Sequence, residues 1–271
     1  MEITLNELRT WVDAHSEALI ESIREQIAIP SVEGSPAPGA PFGTAVAQAL
    51  DHILRLGSRM GFHVENHEGY IGIIEWGEGE VLGVLSHVDV VPPGDLSAWD
   101  SKPYEMTERD GFLIGRGVAD DKGPLLSCLY GMWALKELGF TPNKCVRIII
   151  GTNEESGWGC MNYYKKHFQP PAYSFSPDGM YTVVNREKGI LRLTLQKRLD
   201  CGAVEIEAGE ASNLVPAHAE ARLAVPAAAL RAAVNAWTAP EGMHFEVRET
   251  ENGTEILCTG KNAPSHSPDK G

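Results

Sequence analysis

Two adjacent aspartates, Asp120 and Asp121, stand among glycines in the stretch GRGVADDKGP, Gly115 to Pro124. Carboxylates this close repel one another unless a cation or several donors lie beside them, which makes metal the first chemistry to consider. The same residues also read as a turn in which Asp121 caps the helix that Gly123 and Pro124 open. Upstream, VLGVLSHVDVVPPG places His87 and Asp89 two residues apart, so that on an extended strand both side chains leave one face. His87 is then either a hydrogen-bonded core residue or a metal ligand whose tautomer Asp89 fixes from behind. Downstream, CVRIIIGTNEESGWG carries an apolar segment into Glu154 and Glu155. These are a loop acid pair, or one carboxylate on a metal beside another that handles the proton of a metal-bound water. Asp178, in PDGM, reads alone as a turn aspartate. Taken together, one histidine and several carboxylates without cysteine suit two divalent ions, most often zinc, about 3.5–4 Å apart on a shared carboxylate.

The elements that must position these residues follow from periodicity. Thr4 and Glu7 form a capping-box signature, and Leu8, Trp11, Val12, Ala18, Leu19 and Ile23 recur at helical spacing as far as Pro30. After a Gly, Ser and Pro-rich loop (31–43), a second helix is predicted from Thr44 to Met60, stopped by Gly61. Short strands follow at His63 to Asn66 and Tyr70 to Glu75, then the continuous apolar run from Val81, which predicts a strand covered on both faces. A helix after Pro124 presents Leu125, Leu129, Met132, Trp133 and Leu138 as core, and a further apolar segment spans Tyr173 to Ser176. His87, Asp89, Asp120, Glu154, Glu155 and Asp178 are therefore expected at the carboxyl ends of buried strands, the edge where open α/β sheets bind ligands. From about Glu187 the pattern becomes strands, an alanine-rich helix from Pro226 to Ala236, and strands again, an α+β module.

The totals exclude several alternatives. A net charge of −14, from 37 acidic and 23 basic residues, argues against nucleic acid and anionic membranes as partners. The N-terminal stretch lacks the basic and apolar regions of a signal peptide, and no apolar run approaches membrane-spanning length, so a cytoplasmic protein is expected. Cys128, Cys145, Cys160, Cys201 and Cys258 are scattered and never form a C-x-x-C pair, which points to free thiols.

The four motifs SHVDVVP, GRGVADDKGP, NEESGWG and SPDGMYTVVNREKG, in this order, resemble the zinc-dependent dipeptidases of the PepV type, within the metallopeptidase group that includes aminoacylase, carnosinase and succinyl-diaminopimelate desuccinylase. The resemblance implies an α/β fold with a mixed, mostly parallel sheet flanked by helices, a dinuclear zinc exopeptidase-like catalytic domain over residues 1–186. It also implies a partial α+β lid or dimerisation-type domain over 187–271. Two Zn2+ would serve a complete site: His87 and Asp178 on one, Asp120 bridging, Glu155 on the second, Glu154 as general base, Asp89 behind His87, and a cis peptide at Asp120–Asp121. Asn213, in ASNLVPAHAEARL, corresponds to a substrate-binding lid asparagine.

Two departures qualify it. The family returns from the lid to supply a final histidine to the second zinc, whereas these residues end at Gly271, within the lid, so that the second ion is expected to lack one ligand. In GKNAPSHSP, Pro264 stands where the family has a lid histidine and His266 follows two places on, leaving His266 to reach substrate. The implied reaction is hydrolysis of a dipeptide or short peptide. The alternatives are deacylation of an N-acyl amino acid and a catalytically incomplete metal-binding fragment.

Overall fold

A computed structural model describes residues 3–179, 182–186, 203–208, 214–251, 253–260 and 263–264. The chain divides into two compact units, Met1–Glu187 and Lys188–Gly271. The first contains α1 (Leu5–Ile27), α2 (Thr44–Arg59), β1 (His63–His67), β2 (Ile71–Trp76), β3 (Val81–His87), β4 (Thr107–Arg109), β5 (Phe112–Ile114), α3 (Lys122–Glu137), β6 (Cys145–Gly151), α4 (Gly159–His167) and β7 (Tyr173–Phe175).

The capping box at Thr4 and Glu7 is formed, and α1 buries only its C-terminal half through Ser22, Ile23, Gln26 and Ile27. Helix α2 ends one residue earlier than its pattern predicts, with Gly61 at φ 77° behind it. Five strands make one mixed sheet in the order β1-β2-β6-β3-β7. The β1–β2 and β2–β6 pairs are antiparallel, and β6–β3 and β3–β7 are parallel. Parallel pairing is thus confined to the half of the sheet that carries His87.

Along β6 the apolar residues divide between two faces, as the period of two requires. Ile148 and Ile150 join the core beneath α1, α2 and α3, while Ile149 joins a smaller cluster with Ile71, Ile73, Cys160 and Tyr164 of α4. That two-sided burial explains a strand apolar on both faces, broken by Arg147, which pairs with Glu75 of β2. Leu125, Leu129 and Met132 of α3 are buried in the larger core. Strand β7 departs from the expectation of a buried strand: it is a short edge strand whose Tyr173 and Phe175 are exposed. The β4–β5 hairpin stands apart in a two-stranded sheet of its own.

The second unit has β8 (Ala203–Ala208), β9 (Leu214–Val215), β10 (His218–Leu223), α5 (Ala227–Ala236), β11 (His244–Thr250), β12 (Gly253–Thr259) and β13 (Ala263–Pro264). Its main sheet is antiparallel, in the order β11-β12-β10-β8, and β9 pairs with β13. Among the described residues, no helix is long and apolar enough to cross a membrane.

Candidate metal centre

Parallel strands in one sheet end at one edge, and here β3, β6 and β7 do so together. His87, the last residue of β3, pairs in register with Gly151, the last residue of β6. The chain beyond β6 therefore delivers Glu154 and Glu155 beside His87, and the chain beyond β7 delivers Asp178. Asp120 arrives differently from the expectation of a buried-strand end. It lies in the glycine loop between the β4–β5 hairpin and α3, because β5 is no part of the main sheet.

The imidazole of His87 is almost fully buried, at 1 % exposure, and its Nε2 is the hub. Asp120 Oδ1 lies 3.0 Å from it, Asp178 Oδ2 3.4 Å and Glu154 Oε2 4.0 Å. Two overlapping sets, His87 with Glu154 and Asp178, and His87 with Asp120 and Glu155, each present ligand atoms within 4.8 Å of one another. Burial alone would lower the His87 pKa, but hydrogen bonds to Asp120, Asp178 and Asp89 outweigh it and hold the ring protonated far above the usual range. Hydrogen bonding to His87 in turn lowers the Asp120 pKa. Glu155 is pushed up to about 7 by burial and by the Asp120 charge, and Glu154 is raised by burial. The cluster is short of positive charge, and a proton on His87 supplies part of it. A nitrogen and several oxygens converging without sulfur fit a hard or borderline divalent ion, zinc included.

Behind this shell the structure adds detail that spacing could not show. His87 Nδ1 lies 2.9 Å from the Asp89 carbonyl and 3.5 Å from its carboxylate, so the backbone of Asp89 is the nearer partner. The Asp89 carboxylate instead accepts from the backbone N–H of Glu154 and of Glu155, both at 3.1 Å. One residue therefore sets both the imidazole, through its backbone carbonyl, and the glutamate turn, through its carboxylate. Asn153 closes that turn: its carbonyl accepts from Trp158 N at 2.8 Å and its Oδ1 from Gly159 N at 3.0 Å.

Asp121 makes no side-chain cap on α3. Its carboxylate turns back to β3, accepting from Ser86 Oγ and, at 3.3 Å, from His87 N, and burial pushes its pKa up to about 7. The Asp120–Asp121 peptide is cis, as the resemblance implies. Lys122, also buried, donates to the carbonyls of Gln26 at 2.9 Å and Ile29 at 2.7 Å, tying the end of α1 to the aspartate loop. Ser86, Asn153 and Lys122 were missed by sequence reasoning. Their only signal was adjacence to the acidic motifs. Asn213 and His266 lie outside the described residues.

The family model described as peptidase family M20/M25/M40 matches residues 83–269, a span containing all six converging residues. The chain belongs to this peptidase family. Members of family M20 are metal-dependent, in keeping with the two candidate ligand sets. The putative dipeptidase YtjP of Bacillus subtilis is 41 % identical over 220 residues, covering 78 % of this chain and 47 % of that protein. The Beta-Ala-Xaa dipeptidase of Lactobacillus delbrueckii subsp. lactis is 33 % identical, covering 100 % of this chain and 59 % of that protein. The M20 chain thus spans about half the length of the curated relatives it matches. The solved structure of the di-peptidase Dug1p from Saccharomyces cerevisiae shares the fold, with a TM-score of 0.54 at 24 % identity over 61 % of this chain and 38 % of that one.

Proposed function

We propose that this M20 protein is a PepV-type dipeptidase, hydrolysing the peptide bond of a dipeptide or short peptide with two zinc ions. The observation that carries this reading is the pair of ligand sets meeting at His87 Nε2. The names of the similar proteins favour dipeptides over N-acyl amino acids. His87 and Asp178 would hold one ion, Asp120 would be shared, and Glu155 would hold the second. When bound, such ions polarise a carbonyl and acidify the attacking water.

The chain's own groups do the rest. Glu154, whose pKa is raised by burial, takes the proton from the attacking water and passes it to the leaving amine. Asp89 keeps Glu154 and Glu155 aimed by holding their backbone, and its carbonyl orients the His87 ring. Asn213 and His266 are the proposed substrate-binding residues. Among the described residues His87 is the one imidazole in the candidate sets and its Nε2 can bind a single ion, so the ion held by Asp120 and Glu155 is proposed to be the weaker. The described cysteines are all free, which suits the reducing cytoplasm.

Glu154→Gln decides the assignment of the base. The variant is expected to bind zinc as the parent does while losing hydrolysis of alanine-containing dipeptides. Retained turnover would remove Glu154 from this role. Measured on the parent, hydrolysis with two zincs per chain would exclude the reading as an incomplete metal-binding fragment. A panel including N-acetyl and N-succinyl amino acids separates peptidase from deacylase.

A further inference from the structure

Two of the segments that carry proposed ligands are fastened to one stretch of chain, residues 26–31, at the end of α1. Lys122 Nζ donates to the carbonyls of Gln26 and Ile29, and Gln26 is among the last four residues of α1, whose carbonyls have no acceptor role left within the helix. Ser31 Oγ donates to the Val88 carbonyl at 2.6 Å, and the Val90 N–H donates back to the Ser31 carbonyl at 3.0 Å. Lys122 and Ser31 are both 0 % exposed. The lysine stem runs past Gly117, at φ 92°, where a Cβ would stand 3.2 Å from Lys122 Cδ and 2.8 Å from Val90 Cγ1. Asp120 itself is exposed, and its place depends on its neighbours. The Lys122 N–H donates to the Gly117 carbonyl at 3.0 Å, closing residues 117–122 into a loop that contains Asp120. Anchoring Lys122 therefore anchors that loop, and anchoring Val88 anchors the residue that follows His87.

We infer that Lys122 and Ser31 are positioning residues for the metal centre, fixing Asp120 against His87 by fastening both segments to the end of α1. The inference rests on the proposed reading of His87 and Asp120 as zinc ligands. Neither Lys122 nor Ser31 belongs to a candidate ligand set, so each acts through its neighbour. The relation they hold is a close one, with Asp120 Oδ1 3.0 Å from His87 Nε2. Zinc bonds to nitrogen and carboxylate oxygen fall within about 2.0–2.2 Å, so a carboxylate that drifts from the imidazole costs affinity. A residue that only stabilised the first unit would change its unfolding and leave zinc affinity in the folded protein as it was. A positioning residue changes both.

The test is calorimetric zinc titration, beside urea unfolding of the metal-free protein, for the parent, Lys122→Met, Ser31→Ala and Leu129→Ala. Leu129 is a buried core residue of α3, and its truncation lowers stability through lost apolar contact alone. Zinc affinity is expected to fall about 10–100-fold in Lys122→Met, as for other residues that orient metal ligands, and about three- to tenfold in Ser31→Ala. In Leu129→Ala it should stay at the parent value while the urea midpoint falls. Cobalt(II) bound in place of zinc reports ligand geometry, and its visible absorption should change in Lys122→Met and not in Leu129→Ala. Zinc affinity unchanged in an anchor variant that folds, or weakened as much in Leu129→Ala, overturns the inference. Ser31→Ala removes a single hydroxyl and decides the matter if Lys122→Met does not fold. A parent that binds no zinc removes the two-zinc reading and this inference with it, whereas a parent and anchor variants that bind zinc equally remove this inference alone.

Discussion

At the scale of single residues, the cluster is governed by where protons sit in the absence of metal. Glu155 and Asp121 have pKa values raised to about 7, so each holds a proton in the folded state that the unfolded chain releases near 4. The folded state then binds more protons across this window, and stability is lost as pH rises through it. His87, also raised, acts in the same direction above its unfolded value of 6.5, and Asp120, lowered, acts below 3.8 and so outside this window. Metal-free protein is therefore expected to have a urea midpoint that falls between about pH 4.5 and pH 7. Zinc must displace the His87 proton, so its affinity should rise over the same window. A midpoint that rises with pH in the metal-free protein would contradict these assignments. Asp89→Asn would put an amide group against the N–H of Glu154 or Glu155, and a loss of about 10–100-fold in zinc affinity is expected by titration. The acids and His87 were legible from residue type and spacing. The work of the Asp89 carboxylate was not, because its hydrogen bonds cross 65 and 66 residues of sequence.

At the scale of elements, the site depends on how tightly the glycine loop is wound. A Cβ on Gly123 would stand 2.1 Å from the Val118 carbonyl oxygen, a backbone atom that cannot move aside without shifting the loop. Gly123→Ala is therefore expected to cost about 1–3 kcal/mol in urea unfolding and to reduce zinc loading by displacing Asp120. Unchanged zinc loading would show that the loop yields to the added methyl without displacing Asp120. The apolar runs of β3 and β6 announced strands buried on both faces. Their order in the sheet was not written in either run, since pairing of β3 with β6 joins residues more than 60 positions apart. The β4–β5 hairpin leaves no mark in the sequence pattern, because three-residue strands such as Thr107–Arg109, exposed at each position, carry no apolar alternation. Asp120 was consequently expected at the end of a core strand, when a turn before α3 supplies it.

At the scale of the whole molecule, all the proposed metal ligands lie in the first of two compact units. Zinc should then raise the stability of that unit alone, by about 2.7 kcal/mol at a free concentration a hundredfold above Kd. In calorimetry one transition should move and the other stay. A uniform shift of both would contradict a site confined to residues 1–187. The boundary expected near Glu187 rested on the change from alternating strands and helices to an α+β succession. The roles of Asn213 and His266 rest on resemblance alone. The most direct measurement of the central claim is an anomalous-scattering crystal structure of the zinc-loaded chain. Zinc is expected about 2.0–2.2 Å from His87 Nε2 and an Asp178 carboxylate oxygen, with any second zinc about 3.5–4 Å away against Asp120 and Glu155. Zinc bound elsewhere, with His87 left uncoordinated, would contradict it.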